Sequence, residues 1–402
     1  MRGAFAERAF AESDSRTKAI IFKMPTEGKM FGYMRVPGQQ RRVKALSALF
    51  ALIMGSVATA ALAAGGYHLL QKVPVSGEGV WDYITVDSVN RRVYLSHGDE
   101  TDVLDADSGA PVGKIPIPKM PPKSLNMGVH HAAVVPELGR GFTANGSTAT
   151  VTMFNLKTLE TIKVIDVTGK DPNCIIYDAA TKRVFTFNNG DASNGGKAGD
   201  AANNATAIDP REGKVVGTID LGGHPEFATS DGKGHLFVNL SDKDVVLQID
   251  SRKMLAGERW PVPPCQGQFL NTMAIDKKNE RLFIGCRNGV MAIMNATNGH
   301  VITTVPISKA PDQAAFDPGT GLAFSANGQG DVTVIKEETP EKFSVLETVT
   351  TEPGARTIAV DPKTHKLFLS NADRDPAPPK TAENPFGRSY HAVNFRVLIL
   401  GM

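Results

Sequence analysis

The chain has 402 residues, 41% apolar and 21% charged, with only 3 Cys and no Cys-x-x-Cys pair, which removes a thiol-redox or zinc-ribbon role. Its 44 Lys and Arg against 42 Asp and Glu hide an asymmetry: ten of those bases and four of those acids precede residue 64, leaving 34 bases and 38 acids in the remainder. An acidic body releases few counterions from a phosphate backbone, which argues against nucleic acid as a general partner.

In chain order, the first segment to set aside is the start. Residues 1–40 read as an over-long gene start or disordered leader, with Met34 a better initiating position. Residues 41–64 read as a secretory signal: Arg41, Arg42 and Lys44, an apolar run from Ala45 to Leu62, then small residues with cleavage expected after Ala63 or Ala64. A retained membrane anchor is the competing reading of that run. Cleavage would leave no transmembrane helix and place the product in the periplasm or outside the cell.

From residue 66 to residue 402 one pattern recurs seven times: an apolar strand ending in an anchor, a turn, then a strand opening on an aromatic. The anchors are Asp87, Pro136, Asp178, Asp231, Asp276, Asp317 and Asp361. Their spacings of 49, 42, 53, 45, 41 and 44 residues are those of a four-stranded propeller blade. A single unit could not bury its own apolar faces, so an all-β, seven-bladed β-propeller of antiparallel blades is expected. Turns such as Asp105–Gly109, Asp209–Gly213 and Asn295–Gly299 join third strands to fourth strands. The Asp105 turn lacks the ligands of a calcium loop.

The second strands include Tyr94-Leu95-Ser96-His97, Phe142-Thr143-Ala144-Asn145, Phe185-Thr186-Phe187-Asn188, Phe324-Ser325-Ala326-Asn327 and Phe368-Leu369-Ser370-Asn371. In these tetrapeptides the chain resembles the YVTN-repeat β-propeller family and its YncE-like secreted members, with departures at Pro136, Leu240 and Cys286. The resemblance implies a WD-repeat-like scaffold, and YncE-like propellers are associated with DNA binding.

The last repeat has three strands, so Leu70–Val75 is expected to supply the fourth beside Phe395–Leu400 and close the ring. Cys265, in the connection into the fifth repeat, and Cys286, at the end of its second strand, meet on one face and form a candidate disulfide; Cys174 is left as a small buried residue. Two insertions, 188–205 and 373–390, should emerge on that face.

Five residues before each anchor stand Asp82, His131, Asn173, Glu226, Asn271, Asp312 and Arg356, all polar. They predict a ligand-binding ring at one mouth of the channel, with Asp82, Glu226 and Asp312 as candidate ligands for a divalent metal ion. His97, Asn145, Asn188, Asn327 and Asn371 should form a second circle on the same face. Strand alternation argues against His130 and His131 sharing one ion unless the backbone bends there.

No serine-nucleophile elbow, zincin helix, phosphate loop or haem-attachment motif occurs. The expected role is therefore an exported, monomeric, non-catalytic propeller that binds a small ligand, peptide or envelope protein on its loop-rich face. Two alternatives stand beside it. One is a metal-dependent lactonase or hydrolase with Asn173 and Asn271 joining the three carboxylates, against which seven repeats rather than six count. The other is a DNA-binding propeller using a local patch around Arg356, Arg287, Arg91 and Arg92.

Overall fold

A computed structural model describes residues 65–77, 79–118, 128–190, 203–267, 269–376 and 390–402. The leader, the signal, and the interiors of both insertions lie outside these residues.

Seven four-stranded sheets follow one another along the chain. Blade 1 contains Trp81–Asp87, Arg92–His97, Glu100–Asp105 and Pro111–Pro116, and the next five repeat this order. Their innermost strands are Val129–Val135, Pro172–Asp178, Pro225–Ser230, Leu270–Asp276 and Pro311–Asp317. Blade 7 is built from Thr357–Val360, Leu367–Pro376, Tyr390–Gly401 and, from the other end of the propeller, His68–Pro74. That last strand pairs antiparallel from His68 with Gly401 to Pro74 with Arg396, as the missing fourth strand required. Each innermost strand packs on the next, and the first packs on the seventh, so the sheets form a closed ring.

The aromatic that opens each second strand explains why the sheets stack. Tyr94, Phe142, Phe185, Phe237, Phe283, Phe324 and Phe368 are all buried. Truncating such a ring to alanine costs about 3–5 kcal/mol. The turn into blade 5's fourth strand shows the same tightness: Gly299 has φ of 71°, and a Cβ there would lie 2.1 Å from the Trp260 ring.

The anchor aspartates lock the hairpins and the ring. Asp87 accepts from the backbone N–H of Val89 and Asn90 at 3.0 and 2.9 Å, and Asp276 from Lys278 and Asn279 at 2.8 and 3.2 Å. Several also reach the next blade. Asp178 accepts from Ser230 Oγ at 2.8 Å, Asp317 bonds His365 Nδ1 at 2.6 Å, and Asp361 accepts from Ser88 Oγ at 2.5 Å and Arg91 Nη1 at 2.7 Å. The Asp361 contacts fasten blade 7 to blade 1.

Two sequence readings shift. Val135, not Pro136, occupies the anchor position of blade 2, because it pairs with Arg140 as Asp87 pairs with Arg92. Pro136 instead starts a 3-10 turn that ends at Gly139 with φ of 62°. The second insertion is also shorter than expected, since its ends continue the hairpin: Asp373 pairs with Val393 and Pro376 with Tyr390.

Candidate functional site at the channel mouth

The innermost strands carry a bulge at their entrance. In blade 1 Trp81 pairs with His97 and Ile84 with Leu95, so Asp82 and Tyr83 together face one residue of the neighbouring strand. The same register shift falls at Asn173 and Cys174, at Glu226 and Phe227, and at the single extra residues His130, Asn271 and Asp312. A bulge breaks the two-residue alternation of a strand and re-aims its side chains. Here it produces two layers: a polar rim and a floor beneath it.

The rim consists of Asp82, His130, Asn173, Glu226, Asn271, Asp312 and Arg356. His130 takes the place expected for His131, a direct consequence of the one-residue shift from Pro136 to Val135. Its Nδ1 meets Asp82 Oδ2 at 2.6 Å and its Nε2 meets Asp171 Oδ1 at 3.1 Å. Burial pulls the imidazole down, but the Asp171 and Asp82 carboxylates outweigh it and hold His130 at about 10, a protonated cation at neutral pH.

On the opposite arc, Asp312 accepts from Asn271 Nδ2 at 2.6 Å and from Arg356 Nε at 2.5 Å. Arg356 also donates to the Trp81 carbonyl at 3.2 Å, with its guanidinium 5.0 Å from the centre of the Trp81 ring. Glu226 lies between these pairs. Burial and the neighbouring Asp312 and Asp82, partly offset by Arg287 and His130, push its carboxyl up to about 8.

The floor is the next residue of each strand: Tyr83, His131, Cys174, Phe227, Thr272, Gln313 and Thr357, all buried. Tyr83 of blade 1 meets Phe227 of blade 4 edge-on at 5.0 Å, and His131 lies 5.2 and 5.7 Å from those two rings. Gln313 of blade 6 hydrogen-bonds the backbone of Ile84, at 3.1 and 3.0 Å, and Ile358 N at 3.2 Å. The Tyr83–Phe227 contact reaches across the ring from blade 1 to blade 4, so buried side chains plug the channel below the rim. His131 therefore serves the plug: it accepts from Ile175 N at 3.3 Å, and burial with the nearby His130 cation lowers it to about 3. Cys174 is buried beside it at 3.7 Å, its thiol raised to about 12 by burial.

Two of the three candidate metal carboxylates have separate occupations, Asp82 with His130 and Asp312 with Asn271 and Arg356, while Glu226 has only His224 Nε2 at 4.0 Å. Among the described residues, the acidic and imidazole groups whose donor atoms converge within 4.8 Å are His97, Glu100 and Asp102 in blade 1. There Lys114 already bridges Glu100 and Asp102. The second circle is spent inside the blades. Asn145 Nδ2 donates to Thr150 and Thr152 hydroxyls at 3.1 and 2.8 Å, Asn188 to Asn204 and Thr206, Asn327 to Asp331 and Thr333, and Asn371 to Glu352. His97 bonds Asp102 at 2.8 Å.

Cys265 and Cys286 form a disulfide, joining the connection into blade 5 to the end of its second strand, beside the entrance residue Leu270. A groove of about 1170 Å³ lies on blade 7 among Lys72, Val75, Glu352, Asp373 and Arg396. Its charges are mutually paired: Lys72 with Glu352 at 2.8 Å, and Arg396 with Glu352 and Asp373 at 2.6 and 2.8 Å. At the rim Asn173 Oδ1 and Asn271 Oδ1 are buried without a hydrogen-bond partner, as are Asn188 Oδ1, Asn239 Oδ1 and Asn371 Oδ1 elsewhere in the blades.

Among the described residues no helix is long and apolar enough to cross a membrane. No family model matches the chain, and no curated protein matches it. Among solved structures it is similar to the RRP9 WD40 repeats, with 11% identity and a TM-score of 0.64 over 84% of this chain and 98% of that one. It is also similar to U3-55K, with 10% identity and a TM-score of 0.64 over 83% and 99% of the two chains. At such identities the likeness is one of fold: the protein is a seven-bladed β-propeller with WD40 neighbours.

Proposed function

We propose that this protein is an exported, non-catalytic propeller of the YVTN kind that binds a ligand or partner in the cup formed by the polar rim over the aromatic floor. The observation that carries this is the rim itself: polar side chains at the strand entrances above an aromatic floor, among them the Glu226 carboxyl, 18% exposed and without a hydrogen bond among the described residues. A closed floor provides a concave surface with fixed polar groups, the usual form of a ligand site. His130, held between two carboxylates, and Asp312, held by Asn271 and Arg356, are committed to positioning one another rather than to moving protons. The basic and apolar segment of residues 41–64 and the Cys265–Cys286 disulfide support export.

The test is a thermal-shift screen of small ligands against the wild type and an Asn173→Phe variant that fills the cup. Ligands that stabilise the wild type and lose their effect in the variant support the reading. Ligands that act equally on both move the binding surface elsewhere, and turnover of a stabilising lactone would replace the reading with a hydrolase. Salt-sensitive binding of single-stranded DNA unaffected by Asn173→Phe would move function to the basic patch.

A further inference from the structure

The turn between the second and third strands of blade 1 gathers a cluster that the rim does not use. One ligand atom each from His97, Glu100 and Asp102 lies within 4.8 Å of the other two. His97 is 1% exposed and Asp102 3%, whereas Glu100 reaches the surface. The His97 ring stacks on Phe395 of blade 7 at 3.9 Å, and its Nδ1 meets Asp102 Oδ2 at 2.8 Å, so both contacts fix its orientation. Gly77, with φ of 126°, passes close over the cluster. A Cβ there would lie 2.9 Å from His97 Cε1 and 3.6 Å from a Glu100 oxygen.

What these atoms hold is a cation. The Lys114 ammonium, from the fourth strand, donates to Glu100 Oε1 and to the Ser76 carbonyl at 3.0 Å, and lies 3.2 Å from Asp102 Oδ1. An ammonium carries three N–H groups, and here it meets three oxygens. A lysine paired with a carboxylate at a surface needs neither a buried imidazole beside it nor a second carboxylate withdrawn from solvent.

We propose that this cage is a binding site for a divalent transition metal of the zinc type, with Lys114 holding the place of the ion. The proposal goes beyond the cup and does not depend on it. His97, Glu100, Asp102 and the Ser76 carbonyl offer one nitrogen and three oxygens, the number of donors zinc takes. An imidazole among them favours zinc over calcium or magnesium, which take oxygen. Two carboxylates balance both charges of the ion, whereas Lys114 balances one.

The ion enters by displacing Lys114. That side chain stands on the outer strand Pro111–Pro116 and is 39% exposed, so its ammonium can turn into water while the backbone stays in place. Ser76 and Gly77 also line the groove on blade 7, which gives the ion a path from solvent. Coordination by His97 Nδ1 puts the ring proton on Nε2. That atom is buried without a hydrogen-bond partner already, so the transfer breaks no bond there.

Zinc titration of the full chain, followed by calorimetry and melting temperature, tests this beside Lys114→Ala and Glu100→Gln, with cobalt as a spectroscopic probe and calcium as a control. Expected is one zinc per chain, a raised melting temperature, and cobalt absorption of a four-coordinate site. Binding should tighten roughly tenfold in Lys114→Ala, since in the wild type only molecules with Lys114 turned out are open to the ion, and be lost in Glu100→Gln. The cup-filling Asn173→Phe should leave it unchanged. Calcium bound in preference to zinc overturns the imidazole-containing site. Zinc held equally by wild type, Lys114→Ala and Glu100→Gln sits elsewhere on the surface and overturns the assignment. No zinc bound by wild type or by Lys114→Ala, at unchanged melting temperature, makes Lys114 a plain ion pair and overturns it outright. Should Glu100→Gln fail to fold, Asp102→Asn carries the same comparison.

Discussion

The two ends of the innermost strands hold the same kind of residue in opposite conditions. At the anchor end Asp361 has no exposed side-chain surface, and burial opposes its charge. Even so, the Ser88 and Thr364 hydroxyls, the Arg91 guanidinium and the Lys363 amide hold it down at about 2. At the entrance end Glu226, 18% exposed, has no such donors and is pushed up to about 8. Five residues of strand separate two uses of a carboxylate. Donors supplied by the chain's own turn make an anchor a stable anion that binds blades together. Their absence at the bulge leaves a carboxyl that burial and the neighbouring carboxylates hold protonated near neutral pH.

The largest effect expected on this contrast comes from opening the ring. Deleting residues 67–75 removes the strand that pairs with blade 7, exposes two sheet edges and should abolish the cooperative melting transition; an unchanged transition would show that both ends keep their geometry without closure. Asp361→Asn should follow, costing about 3 kcal/mol because Arg91 and the hydroxyls lose a buried anion, measured by chemical denaturation. The pH dependence has a definite sign. The depressed Asp361 contributes stability that is present above its ordinary value of 3.8 and lost as pH falls towards about 2, so wild type and variant should converge in that window.

Reducing the Cys265–Cys286 bond, which spans 21 residues, should cost about 3 kcal/mol by releasing chain entropy to the unfolded state. Hydrogen exchange should locate the loosening at the entrance of blade 5, near Asn271, and not at Asp276. The smallest change concerns Glu226→Gln. Because the carboxyl is raised, its protonated form supports the fold below the ordinary value of 4.5 and that support is lost as pH rises through about 8. The variant should therefore match the wild type near pH 4 and melt higher than it near pH 8.5; a variant less stable at both would make Glu226 a structural anchor like Asp361.

Much of the scaffold was legible in the chain. The anchors and second-strand aromatics recur at blade spacing because every blade must bury the same faces against the next, and the orphan strand at Leu70–Val75 could be matched to the missing place in blade 7. The rim positions were legible in six blades out of seven. The seventh was displaced because Pro136 looked like an anchor while the hydrogen-bond register put Val135 there, moving the rim histidine from His131 to His130. The same register supplies the bulge, which strand alternation read from sequence does not contain.

By itself, the sequence determined the repeat, the number of blades, the closure and the polarity of the mouth, since these follow from periodic burial along one chain. Only the tertiary structure decided that the channel is plugged, that His130 stands between Asp82 and Asp171, and that Glu226 is left without a hydrogen bond among the described residues. Those facts depend on side chains from blades far apart in sequence meeting across an axis. Such distances are set by bulges and by the closing of the ring rather than by any local preference of the residues involved.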